Sequence, residues 1–347
     1  MPGIGRCFCA GRIDTAGFAA RIGAFQASLA LPEQCLGGDD REPDAMNRLI
    51  RCFSRLLALC AWLLAGQALA DAGNAVVTIT EGPAQILRGV NRSPAAVGVR
   101  MRAGDILMVD AAGFLRIETD DGLRVDLGPG ARALWLPKPS PNAAQRLLYL
   151  QSGLIKVSSP IPRGATPSAF STPMVDVDQA TVVVLAQEAE KLWVFAETGG
   201  VKGHERAAAP GGEASLSLKP GECLSRAGDK KTAPSPRPPP EFISRLPRPF
   251  LDTLPARYAE LAKRDTVLKP GPAVAYEDIQ GWLQAEPALR RDLMSRWRPR
   301  ARDAAFKAAL VANMNRHPEW ERVLFPERFR PQSAAGQQPV SPARSSQ

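Results

Sequence analysis

The sequence predicts a mainly β domain, with short antiparallel strands in a solenoid- or sandwich-like arrangement, followed by a small α-helical bundle. Three observations lead to this fold class. Residues 71–226 contain many short alternating or β-branched runs that glycines separate, a pattern typical of all-β domains. Residues 227–244 are rich in proline, and in residues 245–330 the apolar side chains recur at helical spacing. The chain is therefore predicted to contain a β domain, a linker and a helical domain.

The strands of the β domain are delimited by turn residues. A hairpin is predicted in residues 113–127, because Asp120-Asp121-Gly122 lies between two alternating runs and glycine supplies the positive φ that tight turns require. Alternation predicts that one set of side chains faces the core: Leu115, Ile117, Leu123, Val125, Leu127, Leu134 and Leu136. The other predicted strands are residues 75–80, 131–136, 147–153, 154–159, 181–186, 191–197 and 215–226, with Ser152-Gly153 and Gly199-Gly200 interpreted as turns.

The C-terminal domain, residues 245–330, is predicted to be helical. In the preceding linker, prolines cluster at positions 234–240, where they favour an extended polyproline segment. Pro287 can occupy the first turn of a helix whose apolar side chains are Leu289, Leu293 and Trp297. Further helices are predicted after Pro255 and over residues 276–285, 303–316 and 319–325. The composition of residues 331–347 predicts a disordered tail.

Residues 46–70 have the three parts of a secretory signal peptide in order. Three arginines precede the apolar run Leu56–Gly66, and the A-x-A cleavage site Ala68-Leu69-Ala70 follows it. The apolar run is shorter than the about 20 residues that span a bilayer. We therefore expect cleavage after Ala70 and a periplasmic location, with residues 1–45 a mis-annotated, disordered upstream extension. The alternative is an uncleaved segment that anchors the chain in the inner membrane.

Cysteine usage and charge agree with an exported protein. Cleavage after Ala70 would leave Cys223 as the single cysteine, which cannot form an intramolecular disulfide or a cysteine-rich metal site. The mature chain would hold 37 Lys and Arg against 29 Asp and Glu, a net charge of about +8. Such a charge favours anionic partners. In the envelope these are lipid headgroups, lipopolysaccharide, cell-wall polymers and acidic proteins rather than nucleic acid, and no cofactor is expected.

Several motifs of the β domain occur in a recognisable order. They are Ala103-Gly104-Asp105-Ile106-Leu107, GFLRIETDDGLRVDLGPGARALWL at 113–136, LLYLQSGLIKV at 147–157 and Phe170-Ser171-Thr172-Pro173. In these motifs roughly residues 75–226 resemble the FecR domain, named after the periplasmic part of an iron-citrate signalling regulator. The resemblance implies a β fold and a periplasmic location. It does not imply anti-sigma activity, because residues 1–45 are too short and irregular for the regulators' cytoplasmic region, and MVDVDQATVVVL replaces the family's third motif.

The densest charged segment is RRDLMSRWRPRAR at residues 290–302. Its six arginines are the candidate anion- or partner-binding residues: Arg290, Arg291, Arg296, Arg298, Arg300 and Arg302. Because arginine pairs well with carboxylates and phosphates, the expected ligand is an anionic envelope polymer, a lipid headgroup or an acidic protein. The alternative interpretation is a solvated helix face and an interhelix turn, with Trp297 in the core.

Residues suited to catalysis are scarce in this chain. Its two histidines, His204 and His317, are expected at the surface or at a helix end, and neither has a nearby nucleophile pattern. Asp176 and Asp178 alternate along one strand. Paired carboxylates can bind calcium or cleave glycosides, although a solvated strand face also accounts for them. No catalytic or metal-binding residue is therefore predicted.

Together these features favour an exported, non-enzymatic binding or scaffold protein of the bacterial cell envelope. Its FecR-like domain would contact an envelope protein or an anionic envelope polymer, and the helical domain would supply a second contact. A membrane-anchored FecR-type regulator of transmembrane signalling is the alternative. An envelope hydrolase that uses Asp176 and Asp178 is a third hypothesis. The oligomeric state is left open.

Overall fold

The protein is mainly β, with a small helical part at its C-terminal end, which confirms the predicted fold class. The computed structural model describes residues 75–136, 146–159, 169–206, 214–228, 234–264 and 266–329. The predicted upstream extension, the signal peptide with Ala68 and Ala70, and the C-terminal tail lie outside these residues. Among the described helices, none is both long and apolar enough to cross a bilayer.

Fourteen strands of the described residues form one hydrogen-bonded network. Its main path runs in the order β14-β13-β11-β10-β9-β8-β7-β4-β2-β3, and a branch of β1, β5 and β6 joins it at β8. Strands β8 and β9 pair in parallel, and the other pairs are antiparallel. The strands are β1 Ala75–Glu81, β2 Ala84–Arg88, β3 Asn91–Pro94, β4 Ile106–Val109, β5 Phe114–Thr119, β6 Arg124–Leu127, β7 Arg132–Trp135, β8 Arg146–Ser158, β9 Ala169–Ser171, β10 Val175–Gln187, β11 Lys191–Glu205, β12 Ala214–Leu218, β13 Cys223–Ala227 and β14 Pro234–Ser235.

Alternation predicted the inward face of the hairpin β5–β6. The five core residues predicted for this hairpin are all buried in the largest apolar cluster: Leu115, Ile117, Leu123, Val125 and Leu127. Strand β7 differs, because both of its faces are covered. Trp135 fills the main cluster, whereas Leu134 is buried on the opposite face and Leu136 is partly buried beside it, both against helices. The prediction of a single inward face was therefore wrong for β7.

Two glycine positions that were interpreted as turns lie inside long strands. Ser152-Gly153 bends β8, which continues through it, and Gly199-Gly200 lies within β11. Gly153 has φ +88°, and a Cβ there would lie 2.3 Å from the backbone nitrogen of Ala131. A residue without a Cβ is therefore required at this bend. The bend lets β8 pair first with β7 and then with β6.

The helices are short and follow the last strand. Their bounds are α1 Pro240–Ile243, α2 Arg248–Leu251, α3 Tyr258–Leu261, α4 Tyr276–Leu283, α5 Pro287–Trp297, α6 Ala304–Ala312 and α7 Glu321–Leu324. Four 3₁₀ turns connect or extend them, at Arg298–Arg302, Met314–Arg316, Pro318–Trp320 and Pro326–Phe329. The predicted helix start at Pro287 is confirmed. The predicted domain boundaries themselves stay predictions.

Helices α4 to α7 share an apolar core with the sheet. On the sheet side this core contains Leu87, Ile106, Met108, Leu134 and Tyr149, all buried. On the helix side it contains three tryptophans with several smaller side chains: Trp282, Trp297, Trp320, Ile279, Leu293, Phe306, Leu310 and Leu324. Burial of each such side chain stabilises the fold by roughly 1.5–3 kcal/mol. The helices therefore depend on the sheet for much of their stability.

Charged side chains on the sheet bind the backbone of the segment that contains α2 and α3. The buried Glu118 accepts hydrogen bonds at Oε2 from the backbone nitrogens of Arg257 and Tyr258, both 2.8 Å long. Lys156 donates to the carbonyl of Phe250 (2.7 Å), and Arg116 donates to the carbonyl of Leu254 (3.3 Å). These bonds give hydrogen-bond partners to backbone groups at the end of α2, at the start of α3 and in the chain between them.

Arg116 is itself held by a buried ion pair. Its Nε and Nη2 atoms lie 2.5 and 2.8 Å from the carboxylate of Asp126, and both side chains are almost fully buried. Burial raises the pKa of Asp126, and the attraction of Arg116 only partly offsets that rise. Removal of one partner would leave the other charge uncompensated in the interior.

A second stretch of the C-terminal chain, residues 271–274, runs along strand β3 and the loop between β2 and β3. The backbone nitrogen of Val274 donates to the carbonyl of Val90, and that of Arg92 donates to the carbonyl of Pro272, both at 2.8 Å. A Cβ on Gly271 would lie 1.8 Å from the carbonyl oxygen of Arg92. Only glycine allows this close backbone approach.

A third apolar cluster forms where α1 and α2 cover the other face of the sheet. Phe242 and Phe250 are buried there against Trp193 and Cys223, and the rings of Trp193 and Phe242 lie 6.4 Å apart. Cys223 is a free thiol, and burial raises its pKa to about 12. A buried thiol with so high a pKa is chemically unreactive, so its reactivity reports whether α1 stays in place.

We predict that Phe242→Ala will increase the alkylation rate of Cys223 at least about tenfold. A Phe→Ala change in a core costs about 3–5 kcal/mol, which favours local opening of the segment that covers the thiol. Labelling followed at the Cys223 peptide by mass spectrometry measures the rate. Leu251→Ala is the matched control, because Leu251 lies in the same segment but is 67% exposed. Equal rates in the two variants would contradict the prediction.

Candidate binding site

The six predicted arginines lie on α5 and on the 3₁₀ turn that follows it. Helix α5 begins with Pro287 in its first turn and turns Leu293 and Trp297 inward, where both are buried in the core shared with the sheet. The Trp297 indole nitrogen donates to the carbonyl of Gly89 (3.2 Å). These contacts fix the helix against the sheet and direct the arginines away from its buried stripe.

Two of the arginines bind backbone carbonyls of the neighbouring chain. Arg296 donates to the carbonyl of Gly104 (2.5 Å), and Arg300 donates to the carbonyl of Val274 (3.1 Å). Burial lowers the pKa of Arg296, an effect that Asp105 partly opposes. These two side chains therefore hold α5 in place against the neighbouring chain.

Three other arginines are directed to solvent. Arg291, Arg298 and Arg302 are exposed, and in the described part of the chain no hydrogen bond or ion pair involves their guanidinium groups. Unpaired guanidinium groups of this kind are available to carboxylates or phosphates from a partner.

The sixth arginine, Arg290, lies at a cavity of about 200 Å³. Apolar side chains form most of its wall, and charged ones complete it: Leu283, Pro287, Met294, Trp320, Arg290, Arg291 and Glu319. Nη1 of Arg290 lies 2.8 Å from Oε1 of Glu319. Its Nε is buried and has no hydrogen-bond acceptor within the described residues. The arrangement combines an apolar recess with a guanidinium group that has donors to spare.

The five cavity residues other than the two arginines were not predicted as site residues from the sequence. Pro287, Arg290 and Met294 are spaced by three or four positions on α5, a helical spacing that could have indicated a common side. Glu319 approaches Arg290 from a separate 3₁₀ turn, and no local signal in the sequence predicts that pairing.

The two aspartates of β10 have basic partners. Asp176 receives two hydrogen bonds from Arg206, at 2.9 and 2.7 Å, and Asp178 lies 2.9 Å from Nδ1 of the exposed His204. Arg206 also donates to Glu286 (2.5 Å), directly before α5. The contacts of Arg206 with Asp176 and Glu286 join the sheet to the segment before α5, whereas Asp178 and His204 lie on the neighbouring strands β10 and β11.

The prediction that His317 lies at a helix end is confirmed, because it caps the 3₁₀ turn Met314–Arg316, but its side chain is not at the surface. Its side chain is fully buried, with Nε2 3.1 Å from the hydroxyl of Tyr276 and the two rings 5.7 Å apart in an edge-to-face arrangement. Nδ1 has no hydrogen-bond partner among the described residues. Burial lowers the pKa of His317. The sequence pattern before Pro318 is compatible with a helix end, but it does not show that the ring turns into the core.

Among the described residues, no three or more His, Cys, Asp or Glu side chains are arranged to hold a metal ion.

Comparisons with known proteins find a limited similarity. No protein-family model matches the sequence, and no curated protein matches it. Two crystal structures of a candidate anti-sigma factor from Parabacteroides distasonis, at 1.65 and 2.50 Å resolution, are similar at 18% identity with TM-scores of 0.32 and 0.31. The match covers 38% of this chain and 59% of each of those chains. These values are too low to assign a family.

We predict that His317→Gln will reduce the loss of stability on acidification. Because burial lowers the folded-state pKa of His317 below 6.5, the unfolded chain binds more protons below about pH 6.5. This contribution to stability is therefore complete above that pH and is lost as the pH falls. Urea unfolding at pH 7.5 and pH 5 measures the difference. His204→Gln is the matched control for removal of an imidazole, and an unchanged pH slope in His317→Gln would contradict the prediction.

Proposed function

We propose that the protein is an exported, non-enzymatic binding or scaffold protein of the bacterial cell envelope. Its FecR-like β part contacts an envelope protein or an anionic envelope polymer, and the arginines of α5 and the following turn supply a second contact. The observation that carries the proposal is the group of three exposed arginines, Arg291, Arg298 and Arg302, for which the described residues provide no acid.

The charge of the whole chain supports this proposal. The chain has 44 Lys and Arg against 35 Asp and Glu, a net charge of +9, so that anions are attracted over its surface. Arginine is suited to partner contacts because its planar guanidinium group binds carboxylates and phosphates with two parallel hydrogen bonds. The predicted signal peptide, residues 46–70, supports a location where these anions are envelope components.

We expect the triple variant Arg291→Gln, Arg298→Gln and Arg302→Gln to bind immobilised polyglutamate or phosphatidylglycerol vesicles roughly three- to 150-fold more weakly at low salt. Each exposed charge contributes about 0.2–1 kcal/mol, and the difference should shrink at high salt because ions screen it. Surface plasmon resonance measures both affinities.

The matched control removes three exposed charges from another part of the protein, by Lys202→Gln, Lys219→Gln and Arg237→Gln. If the two triple variants lose the same binding affinity, only the net charge of the protein matters for binding. The three exposed arginines would then no longer be part of the proposed binding site.

The second candidate function is a membrane-anchored FecR-type regulator that relays a signal across the membrane. The observation that favours it is the apolar run Leu56–Gly66, which would have to stay in the lipid. N-terminal sequencing of the protein recovered after cell fractionation distinguishes the two. We expect a soluble product that begins at Asp71. A membrane-bound product that retains residues 56–70 would instead support the regulator.

A further inference from the structure

We infer that the cavity lined by Leu283, Pro287, Met294 and Trp320, with Arg290 and Arg291 at its edge, is a docking site for an acidic polypeptide. The partner inserts one aliphatic or aromatic side chain into the cavity and places flanking carboxylates on the two arginines. This inference rests on the proposed function and narrows its partner to one chemical class.

The size and walls of the cavity define the inserted group. Its volume of about 200 Å³ is below the roughly 300–1,000 Å³ of pockets that enclose whole small molecules. Leu283 and Trp320 are almost fully buried, and together with Pro287 and Met294 they make most of the wall apolar. A recess of this size and polarity fits a single apolar side chain.

The charges around the cavity define what flanks that side chain. The guanidinium group of Arg291 is exposed, and it forms no ion pair with any carboxylate of the described residues. Arg290 uses Nη1 for Glu319 at 2.8 Å, and its Nε has no acceptor in the described part of the chain. A carboxylate beside the inserted side chain would bind Arg291 and compete with Glu319 for Arg290.

A polypeptide matches this combination better than the other envelope anions. A sugar polymer carries no apolar side chain for the recess, and a lipid acyl chain is too long for it. A segment of acidic protein supplies both an apolar anchor and neighbouring carboxylates. Binding sites between proteins often have this form, with an apolar anchor in a pocket and charged groups around it.

The probes are two acetylated and amidated pentapeptides, Glu-Glu-Leu-Glu-Glu and Glu-Glu-Ala-Glu-Glu, and their binding to the full chain is measured by isothermal titration calorimetry. The peptides have the same charge and differ only in the side chain for the recess. We expect the leucine peptide to bind at least about tenfold more tightly, because its larger side chain removes more apolar surface from water.

Two variants test the cavity and its charges separately. Met294→Trp fills the recess and should reduce the affinity for the leucine peptide to that for the alanine peptide. Glu319→Gln removes the carboxylate that competes for Arg290 and should strengthen binding of the leucine peptide about three- to tenfold. Glu321→Gln is its matched control, because Glu321 pairs with Arg328 at 3.0 Å, away from the cavity. Circular dichroism checks the fold of each variant.

Each outcome supports or overturns the inference. Equal affinities of the unmodified chain for the two peptides overturn it, and this comparison holds even where Met294→Trp fails to fold. Vesicle binding that Met294→Trp abolishes would assign the recess to lipid and also overturn it. If polyglutamate binds through the exposed arginines while the two peptides bind equally, the proposed function survives and the docking site does not. If no anion binds at all, both fail.

Discussion

The structure depends on buried polar groups of the sheet that bind the backbone of the C-terminal chain. An irregular segment can be buried only when its amide and carbonyl groups find partners. Here Glu118 accepts hydrogen bonds from two backbone N–H groups of the C-terminal chain, and Lys156 and Arg116 donate hydrogen bonds to two of its backbone carbonyls. Their cost of desolvation is offset in part by these bonds and by the ion pair of Arg116 with Asp126. The sheet and the helical part are therefore joined by polar as well as apolar contacts within the described residues.

The same principle explains why a run of six arginines has two roles. Arg296 and Arg300 reach carbonyl groups of the neighbouring chain, because α5 is packed against the sheet and brings those carbonyls within range. Arg291 and Arg298 point to solvent from the same helix and its C-terminal end. The density of arginines in the sequence identified residues 290–302 as a candidate binding segment. Whether each arginine binds the neighbouring chain or faces solvent depends on its position relative to the buried side of the helix.

The sequence predicted those features that depend on local patterns. The hairpin β5–β6 followed from alternation around Gly122, and the start of α5 followed from Pro287. The short strands β2 and β3 pair as a hairpin. They were missed because the burial of side chains such as Leu87 depends on the C-terminal helices, far along the chain. The bend at Gly153 was interpreted as a turn, since glycine serves both purposes. Neither the cavity nor the burial of His317 was predicted, because both depend on tertiary contacts. Glu319 pairs with Arg290 at the cavity, and Tyr276 contacts the ring of His317.

The contact between Trp297 and Gly89 joins residues 208 positions apart in the chain, and the pair Arg92–Asp278 is separated by 186. During synthesis, strand β3 and the loop between β2 and β3 would thus leave the ribosome long before the C-terminal residues that contact them. Until then β3 offers an open edge of the kind that invites wrong pairing between chains. An unfinished chain on the ribosome would accordingly keep this edge open until residues 272–274 are available to bind it.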